Sequence, residues 1–411
     1  MSARIEAMSY GFHISLAPVH AYAYTWVFVN FISIGHTMTT NLIDGEARQR
    51  LDTFVSQTHD EHSRFIGFPA ALDFDYHELQ SVNHLFLNNV GDPHESSWHG
   101  IHTKEFEREV VNFCAKLFRA PQNSYWGYVT NGSTECNLYA LYIARQKLPN
   151  TPVYYSAAAH YGIAKNIHIL GIQGHEVRTQ RSGEMDYQHL QQLLAQQAST
   201  SAIVVATIGT TMTEAKDNVA TIKAALLAAG IREHFIHADA ALAGIYTALL
   251  SPHHPFDFED GADSINVSGH KFFGSPMPSG VIVTKKEDKE RLGGAFNYTG
   301  SRDTTITGSR NGHTPLYLWY TIQRYGIEGF RHRAEQAQKV AAYAHQELDK
   351  IGWDVWRNSQ ALTIMLKSPP LELITKWQLA THQGWSHIIC MPGISRDKID
   401  SFVADLAAVQ A

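Results

Sequence analysis

The chain is poor in cysteine: its 411 residues contain 3, Cys114, Cys136 and Cys390, scattered and without a C-x-x-C pair. That usage excludes a disulfide framework and a cysteine-built zinc site, and it suits a reducing cytoplasm. Basic blocks are missing as well. Lysine and arginine number 33 against 39 acidic residues, a net charge of -6, which argues against nucleic acid or an anionic membrane as partner. No early apolar run reaches the ~20 residues of a membrane-spanning helix. The longest, residues 21–35 (AYAYTWVFVNFISIG), is interrupted by Thr25, Asn30 and Ser33. It has no compact basic region ahead of it and no small-residue cleavage site behind it, as a signal peptide would. Met38 follows, and Thr39-Thr40-Asn41-Leu42-Ile43-Asp44 reads as an ordinary polar start, so residues 1–38 are expected to be an extension outside the fold. Repeats, low-complexity tracts and Pro/Gly/Ser-rich linkers do not occur.

What remains has the composition of a globular protein, 44% apolar and 18% charged. Its length exceeds one simple core and calls for a large domain plus a smaller one. Short β-branched or aromatic runs at 152–156, 202–209, 234–239, 264–268 and 280–284 read as buried strands. Helical patterns lie between several of them, at 136–147, 189–197 and 218–229, the last stopped by Gly230. The alternation predicts an α/β domain with a mostly parallel sheet. From about Gly326 the pattern turns helical (330–350), then gives a few strands and a last helix near 397–409. The expected boundaries are an N-terminal segment at 39–95, a large domain at 96–324 and a small C-terminal domain at 325–411.

Ligands collect at the carboxyl ends of strands in such sheets, and Thr130, Ser156, Gly209, Asp239 and Ser268 each close a strand-like run. Lys271, in Ser268-Gly269-His270-Lys271, follows such a run and is walled by Phe272, Phe273 and Gly274. It is either a turn lysine or a desolvated amine able to form a Schiff base. Asp239 ends the run at 234–239 among alanines, as a helix N-cap or as the partner of a buried cation such as a pyridinium. Gly132-Ser133-Thr134-Glu135 opens a helix; Ser133 or Thr134 caps it, or the helix end receives a phosphate. His160 follows the run at 152–156, as a structural residue or as a flat surface for a cofactor ring. The histidine clusters His59-Asp60-Glu61-His62, His99-x-x-His102 and His253-His254 lack a second half with tetrahedral spacing, so no metal is expected. A lysine, a carboxylate, a phosphate loop and a flat imidazole, all at strand ends, are together the parts of a pyridoxal phosphate site.

The blocks that carry a resemblance are His237-Ala238-Asp239-Ala240-Ala241, Asp263 through Lys271 (DSINVSGHK) and Gly274-Ser275-Pro276-Met277-Pro278-Ser279-Gly280. With Asp73-Phe74-Asp75-Tyr76, Tyr125 through Gly132 (YWGYVTNG), Ile208-Gly209-Thr210-Thr211 and Thr305 through His313 (TITGSRNGH), they resemble the group II pyridoxal-phosphate amino-acid decarboxylases. Within that group they are most similar to the bacterial histidine decarboxylases and the plant serine decarboxylases. The similarity runs from about Asp52 to the C-terminus. It implies the aspartate-aminotransferase-like fold, with a mostly parallel seven-stranded sheet and a smaller α+β domain, and a homodimer with sites at the interface. It assigns Lys271 to the Schiff base, Asp239 to the pyridinium, and His160 to stacking and to the substrate. Gly132, Ser133, Thr134, Ser268 and His270 become the phosphate cradle, with Ala241 also at the cofactor. Ser309 would reach the neighbouring subunit's phosphate, and Tyr298 would return a proton after CO2 leaves. The implied reaction is decarboxylation of an L-amino acid, histidine to histamine first. Serine to ethanolamine is the first rival, and transamination or elimination on the same fold the next. A transaminase would want an arginine on the α-carboxylate, for which Arg357 is the candidate. Four departures bear on this: Ser133 and Cys136 replace two glycines of the loop, Ala157-Ala158-Ala159 replaces a polar stretch, and the two positions facing substrate are His99 and Ala361.

Overall fold

A computed structural model describes residues 43–96, 98–197, 199–292, 294–296 and 301–410. The extension expected at 1–38 lies outside the described residues, as does Tyr298. The first compact unit ends at Ser56; its described residues begin helix α1 (Gly45–Ser63), whose first turn is held by Asp44 Oδ1 accepting from the Ala47 N–H at 2.7 Å. No helix among the described residues is long and apolar enough to cross a membrane.

The second unit, Gln57–Ala411, is organised by a sheet of seven strands. In chain order these are β1 (Tyr125–Thr130), β2 (Val153–Ser156), β3 (Gly174–Val177), β4 (Ser201–Thr207), β5 (Glu233–Asp239), β6 (Ser264–Ser268) and β7 (Gly280–Lys285). Across the sheet the order is β1-β7-β6-β5-β4-β2-β3. All pairs are parallel except the two made by β7. Each of the central strands is buried on both faces, which is why it reads as a continuous apolar run. Between the strands run α2 (Lys104–Leu117, before β1), α3 (Ser133–Lys147), α4 (Gly162–Leu170), α5 (Tyr187–Gln196), α6 (Val219–Ala228) and α7 (Gly244–Leu249). Asp186 and Asn218 cap α5 and α6 by accepting from the His189 and Thr221 N–H groups.

On one face Val110, Phe118, Val204 and Ile265 form part of the main core with Leu318 and Phe330 from the C-terminal third of the chain. On the other, Tyr139 and Ile143 of α3 pack on Tyr128, Val205, Phe235 and Ile282. After a four-residue helix, α8 (Lys286–Lys289), and a short hairpin of β8 (Gly294–Phe296) and β9 (Ser301–Asp303), the long helix α9 (His313–Lys350) is interrupted at Gly326, where φ is +57°. Glycine takes that value at no steric cost. Beyond the break, Ala341, Ala344 and Leu348 pack into a separate core. That core lies under a four-stranded antiparallel sheet, in the order β10 (Val355–Trp356), β11 (Thr363–Lys367), β13 (Trp385–Ile389), β12 (Ala380–His382). It is closed by α10 (Leu371–Lys376) and α11 (Arg396–Ala408). The mostly parallel seven-stranded sheet with a smaller α+β part is the architecture expected from the sequence.

Candidate active site

Strand register builds the site. Asp239, last in β5, pairs with Thr207 at the end of β4 and with Asn266 in β6. Ser268, last in β6, pairs with Gly280, which also pairs with Thr130 at the end of β1. These side chains therefore emerge along one edge of the sheet. Gly280 must lack a Cβ here, because one would lie 2.7 Å from Cys136 Sγ and 2.8 Å from Thr130 Oγ1. That missing atom leaves room for the Cys136 side chain.

After Ser268 the chain makes a single π-helical turn, Gly269–Phe273, in which Lys271 departs from helical angles; such turns recur at functional sites. Three outside groups hold this turn. The Ala71 N–H donates to the Lys271 carbonyl (3.1 Å), Arg333 Nη1 donates to the Phe272 carbonyl (3.1 Å), and the Tyr76 hydroxyl donates to the Gly274 carbonyl (2.8 Å). Arg333 is itself held by Asp73, with Nε 2.9 Å and Nη2 2.5 Å from the carboxylate. The Asp73-Phe74-Asp75-Tyr76 block thus serves the lysine turn from nearly two hundred residues away.

Lys271 points into a cavity of about 610 Å³, within the range usual for small-molecule sites. Burial pushes its ammonium pKa down, and the Asp239 carboxylate opposes that shift. Asp239 is 4% exposed and accepts from the Ala241 N–H (3.3 Å) and from Asn137 Nδ2 (2.9 Å). It is not a helix cap, since α7 starts only at Gly244 and its cap position is Ala243. Neither Ser133 nor Thr134 caps α3, because the cap position is Gly132 and no side chain bonds there. Ser133 Oγ instead lies 2.8 Å from Ser268 Oγ. Glu135 folds back to accept from the Asn131 N–H at 3.0 Å, and Asn166 Nδ2 donates to the Thr134 carbonyl at 2.8 Å, so the loop is braced from both sides. His160 Nδ1 accepts from the Gly162 N–H (3.1 Å). Its neutral proton therefore sits on Nε2, and burial lowers its pKa further. His270 Nδ1 rests against the Ser279 backbone and is likewise lowered, by burial first and by Lys271 second.

The cavity brings together Gly132, Ser133, Thr134, His160, Asp239, Ala241, Ser268, His270 and Lys271. Ser309, His99 and Ala361 are not among its lining residues. Ser309 Oγ accepts from Asn88 Nδ2 at 3.1 Å, His99 is partly buried, and Ala361 is 0% exposed with its N–H donating to the Asn358 carbonyl. Reasoning from sequence missed Asn137, Phe68, Pro69, Leu242, Ala380 and His387, which also line the cavity. Only Asn137 left a trace, one residue into the loop-to-helix motif after Cys136. His387, in β13, has Nδ1 2.9 Å from the Met212 carbonyl and Nε2 3.0 Å from the Gly67 carbonyl. Gly209 does not close β4, which ends at Thr207; the chain turns at Gly209 with φ +102°.

A lysine with a depressed pKa, a buried carboxylate opposite it and a hydroxyl-rich helix start, all at one sheet edge, define a pyridoxal-phosphate enzyme of the aspartate-aminotransferase-like fold. The residues fit that cofactor. The buried Thr207 Oγ1, on the cavity wall beside Asp239, has no hydrogen-bond partner among the described residues, and the N-terminus of a fifteen-residue helix offers an anion its dipole. The family model for the pyridoxal-dependent decarboxylase conserved domain matches residues 35–354, and the chain belongs to that family. It is 43% identical to a histidine decarboxylase of Mesorhizobium japonicum over 89% of this chain and 99% of that one. It is 36% identical to serine decarboxylase 1 of Oryza sativa subsp. japonica over 84% of this chain and 72% of that protein. Among solved structures, L-methionine decarboxylase from Streptomyces sp. 590 superposes with a TM-score of 0.81 at 28% identity, covering 89% of this chain and 95% of the other.

Proposed function

We propose that this chain decarboxylates histidine to histamine and CO2, acting as a cytoplasmic homodimer. The observation that carries the substrate is the 43% identity to a histidine decarboxylase, sustained over 99% of that enzyme. Bound pyridoxal phosphate supplies an electron sink for the pair left behind when the substrate carboxylate departs as CO2. The chain's own residues do the rest. Lys271 would hold the cofactor's aldehyde carbon, its lowered pKa raising the fraction of neutral amine. Asp239, fixed by Asn137, would keep the ring nitrogen protonated. Ser133, Thr134, Ser268, His270 and the start of α3 would take the phosphate, with Ala241 beside them on the same wall. His160 would offer its flat neutral ring to the cofactor and its Nε2–H to the substrate. Phe68, Pro69, Leu242 and Ala380 add apolar surface to the lining, which would limit water at the reacting carbon. Tyr298 would donate the proton to Cα. We assign Ser309 and His99, which lie outside this cavity, to the cavity of the partner subunit.

The absence of an arginine from the cavity lining, among the described residues, supports decarboxylation over transamination. Arg357 lies instead in a separate depression with Glu335, Gln338 and Lys339. Serine decarboxylation is the second reading, favoured by the identity to the rice enzyme. Incubating the cofactor-loaded enzyme with each amino acid while measuring CO2 and amine together tests all three. Histamine with equimolar CO2 is expected; ethanolamine without histamine overturns the substrate, and keto acid without CO2 overturns the reaction.

A further inference from the structure

Below the cavity, the sheet face under α3 carries polar groups in an otherwise apolar layer. Val205, Phe235 and Ile282 pack there with Tyr139 and Ile143. Within the same layer sit His237, Ser264 and Asn137, each 2% exposed or less. Ser264 Oγ lies 2.8 Å from His237 Nδ1, and His237 Nε2 lies 2.7 Å from Asn137 Oδ1. Asn137 Nδ2 in turn donates to Asp239 Oδ2 at 2.9 Å. Such groups cost free energy in an apolar layer unless their bonds are made.

The direction of every bond follows from the carboxylate. An ionised carboxylate only accepts, so Asn137 must turn its NH2 toward Asp239. Its Oδ1 then faces His237, which must carry its proton on Nε2. Nδ1 is left as an acceptor, and the Ser264 hydroxyl supplies the proton it needs. The reversed chain would set the Asn137 carbonyl oxygen against the Asp239 carboxylate. Among the described residues, Asn137 makes the only side-chain hydrogen bond to Asp239.

We propose that Ser264, His237 and Asn137 form a one-way hydrogen-bond relay of positioning residues that aims and steadies the Asp239 carboxylate for the cofactor's ring nitrogen. This rests on the reading of Asp239 given above. Ser264 and His237 do not line the cavity, and Asn137, which does, spends its NH2 on Asp239; all three act through that carboxylate. His237 polarises the Asn137 amide and makes it a stronger donor than a lone amide would be.

The test titrates the cofactor-free protein with pyridoxal phosphate at pH 7, reading the Kd and the visible absorbance maximum. His237→Leu removes the donor at Nε2 and is expected to weaken cofactor binding about tenfold, the size of a lost hydrogen bond to a charged acceptor's support, with a displaced absorbance maximum. His237→Gln keeps an N–H toward Asn137 and is expected to recover most of both. Asn137→Ala breaks the next link and serves in place of His237→Leu should the latter not fold. Parent-like Kd and spectrum in either broken-chain variant overturn the relay, as does His237→Gln failing as badly as His237→Leu, which would mark a packing role. Asp239→Asn is the control. If it binds and absorbs like the parent, the assignment of Asp239 falls and the relay with it; if it is impaired while His237→Leu is not, the relay alone falls.

Discussion

The two walls of the cavity are made by different means. The inner wall stands on strand ends, where register sets each side chain: Thr207 beside Asp239, and Ser268 beside Gly280 and Thr130. The outer wall is assembled from segments far apart in the chain, Phe68 and Pro69 before the large sheet, Thr211 in the loop after β4, and Ala380 and His387 in the small sheet. His387 links two of these segments to the third through the Met212 and Gly67 carbonyls. On the roles proposed above, the inner wall would hold the cofactor on rigid backbone, whereas the outer wall is built from segments that can be altered without disturbing the sheet.

The largest effect is expected on the inner wall, at Lys271. Lys271→Ala is expected to abolish the absorbance band of the lysine Schiff base and reduce turnover by on the order of 10³-fold or more, measured by absorbance and by CO2 release. An unchanged visible spectrum would remove Lys271 from the inner wall's chemistry. Next in size is a pH effect on stability. Burial lowers the His237 pKa to about 4 from an ordinary 6.5. Below pH 6.5 the unfolded chain takes up a proton there that the folded protein does not, so stability is full above pH 6.5 and is lost as pH falls toward 4. The loss amounts to roughly 3 kcal/mol. Urea unfolding from pH 7 to 4 should show that slope, and His237→Gln should flatten it; an equal slope in the variant would place the titrating group elsewhere.

The same contrast explains what could be read in the sequence. Strands β5 and β6 are doubly buried, so His234 through Asp239 and Ser264 through Ser268 stand out as apolar runs ending in polar residues, and Asp239, Ser268 and Lys271 stand out with them. The i, i+2 spacing of His237 and Asp239 puts both on one face of β5, but nothing local in the sequence shows that Asn137 joins them. Strand β3 left no such signal, because Gly174-His175-Glu176-Val177 is a short edge strand with two exposed residues. Ala380 and His387 were invisible for a different reason. Their place on the cavity depends on how the small sheet packs beside the loop after β4, and no local periodicity encodes that.

A smaller effect is expected on the outer wall. With carbonyls at both ring nitrogens, His387 can donate to both only as the cation; burial lowers its pKa, while those two hydrogen bonds oppose the shift. His387→Leu should therefore release at least one segment and raise the KM for histidine about tenfold, while leaving the Kd for pyridoxal phosphate within about twofold. Titrating both ligands against one variant separates the walls. If cofactor binding weakens as much as substrate binding does, the two walls are one structural unit.

The smallest effect returns to the inner wall. Ser133 Oγ meets Ser268 Oγ at 2.8 Å, yet the phosphate would also draw on His270 and on the dipole of α3, neither of which needs the Ser133 hydroxyl. Ser133→Ala removes one neutral donor from a group of several, so the expected cost is about threefold in cofactor Kd, with turnover unchanged once cofactor is saturating. Equilibrium dialysis at fixed ionic strength measures it. A loss well beyond tenfold would mean that a single side chain, and not the helix end and strand register around it, holds the anion. The inner wall would then depend on individual side chains just as the outer wall does, and the distinction between them would not survive.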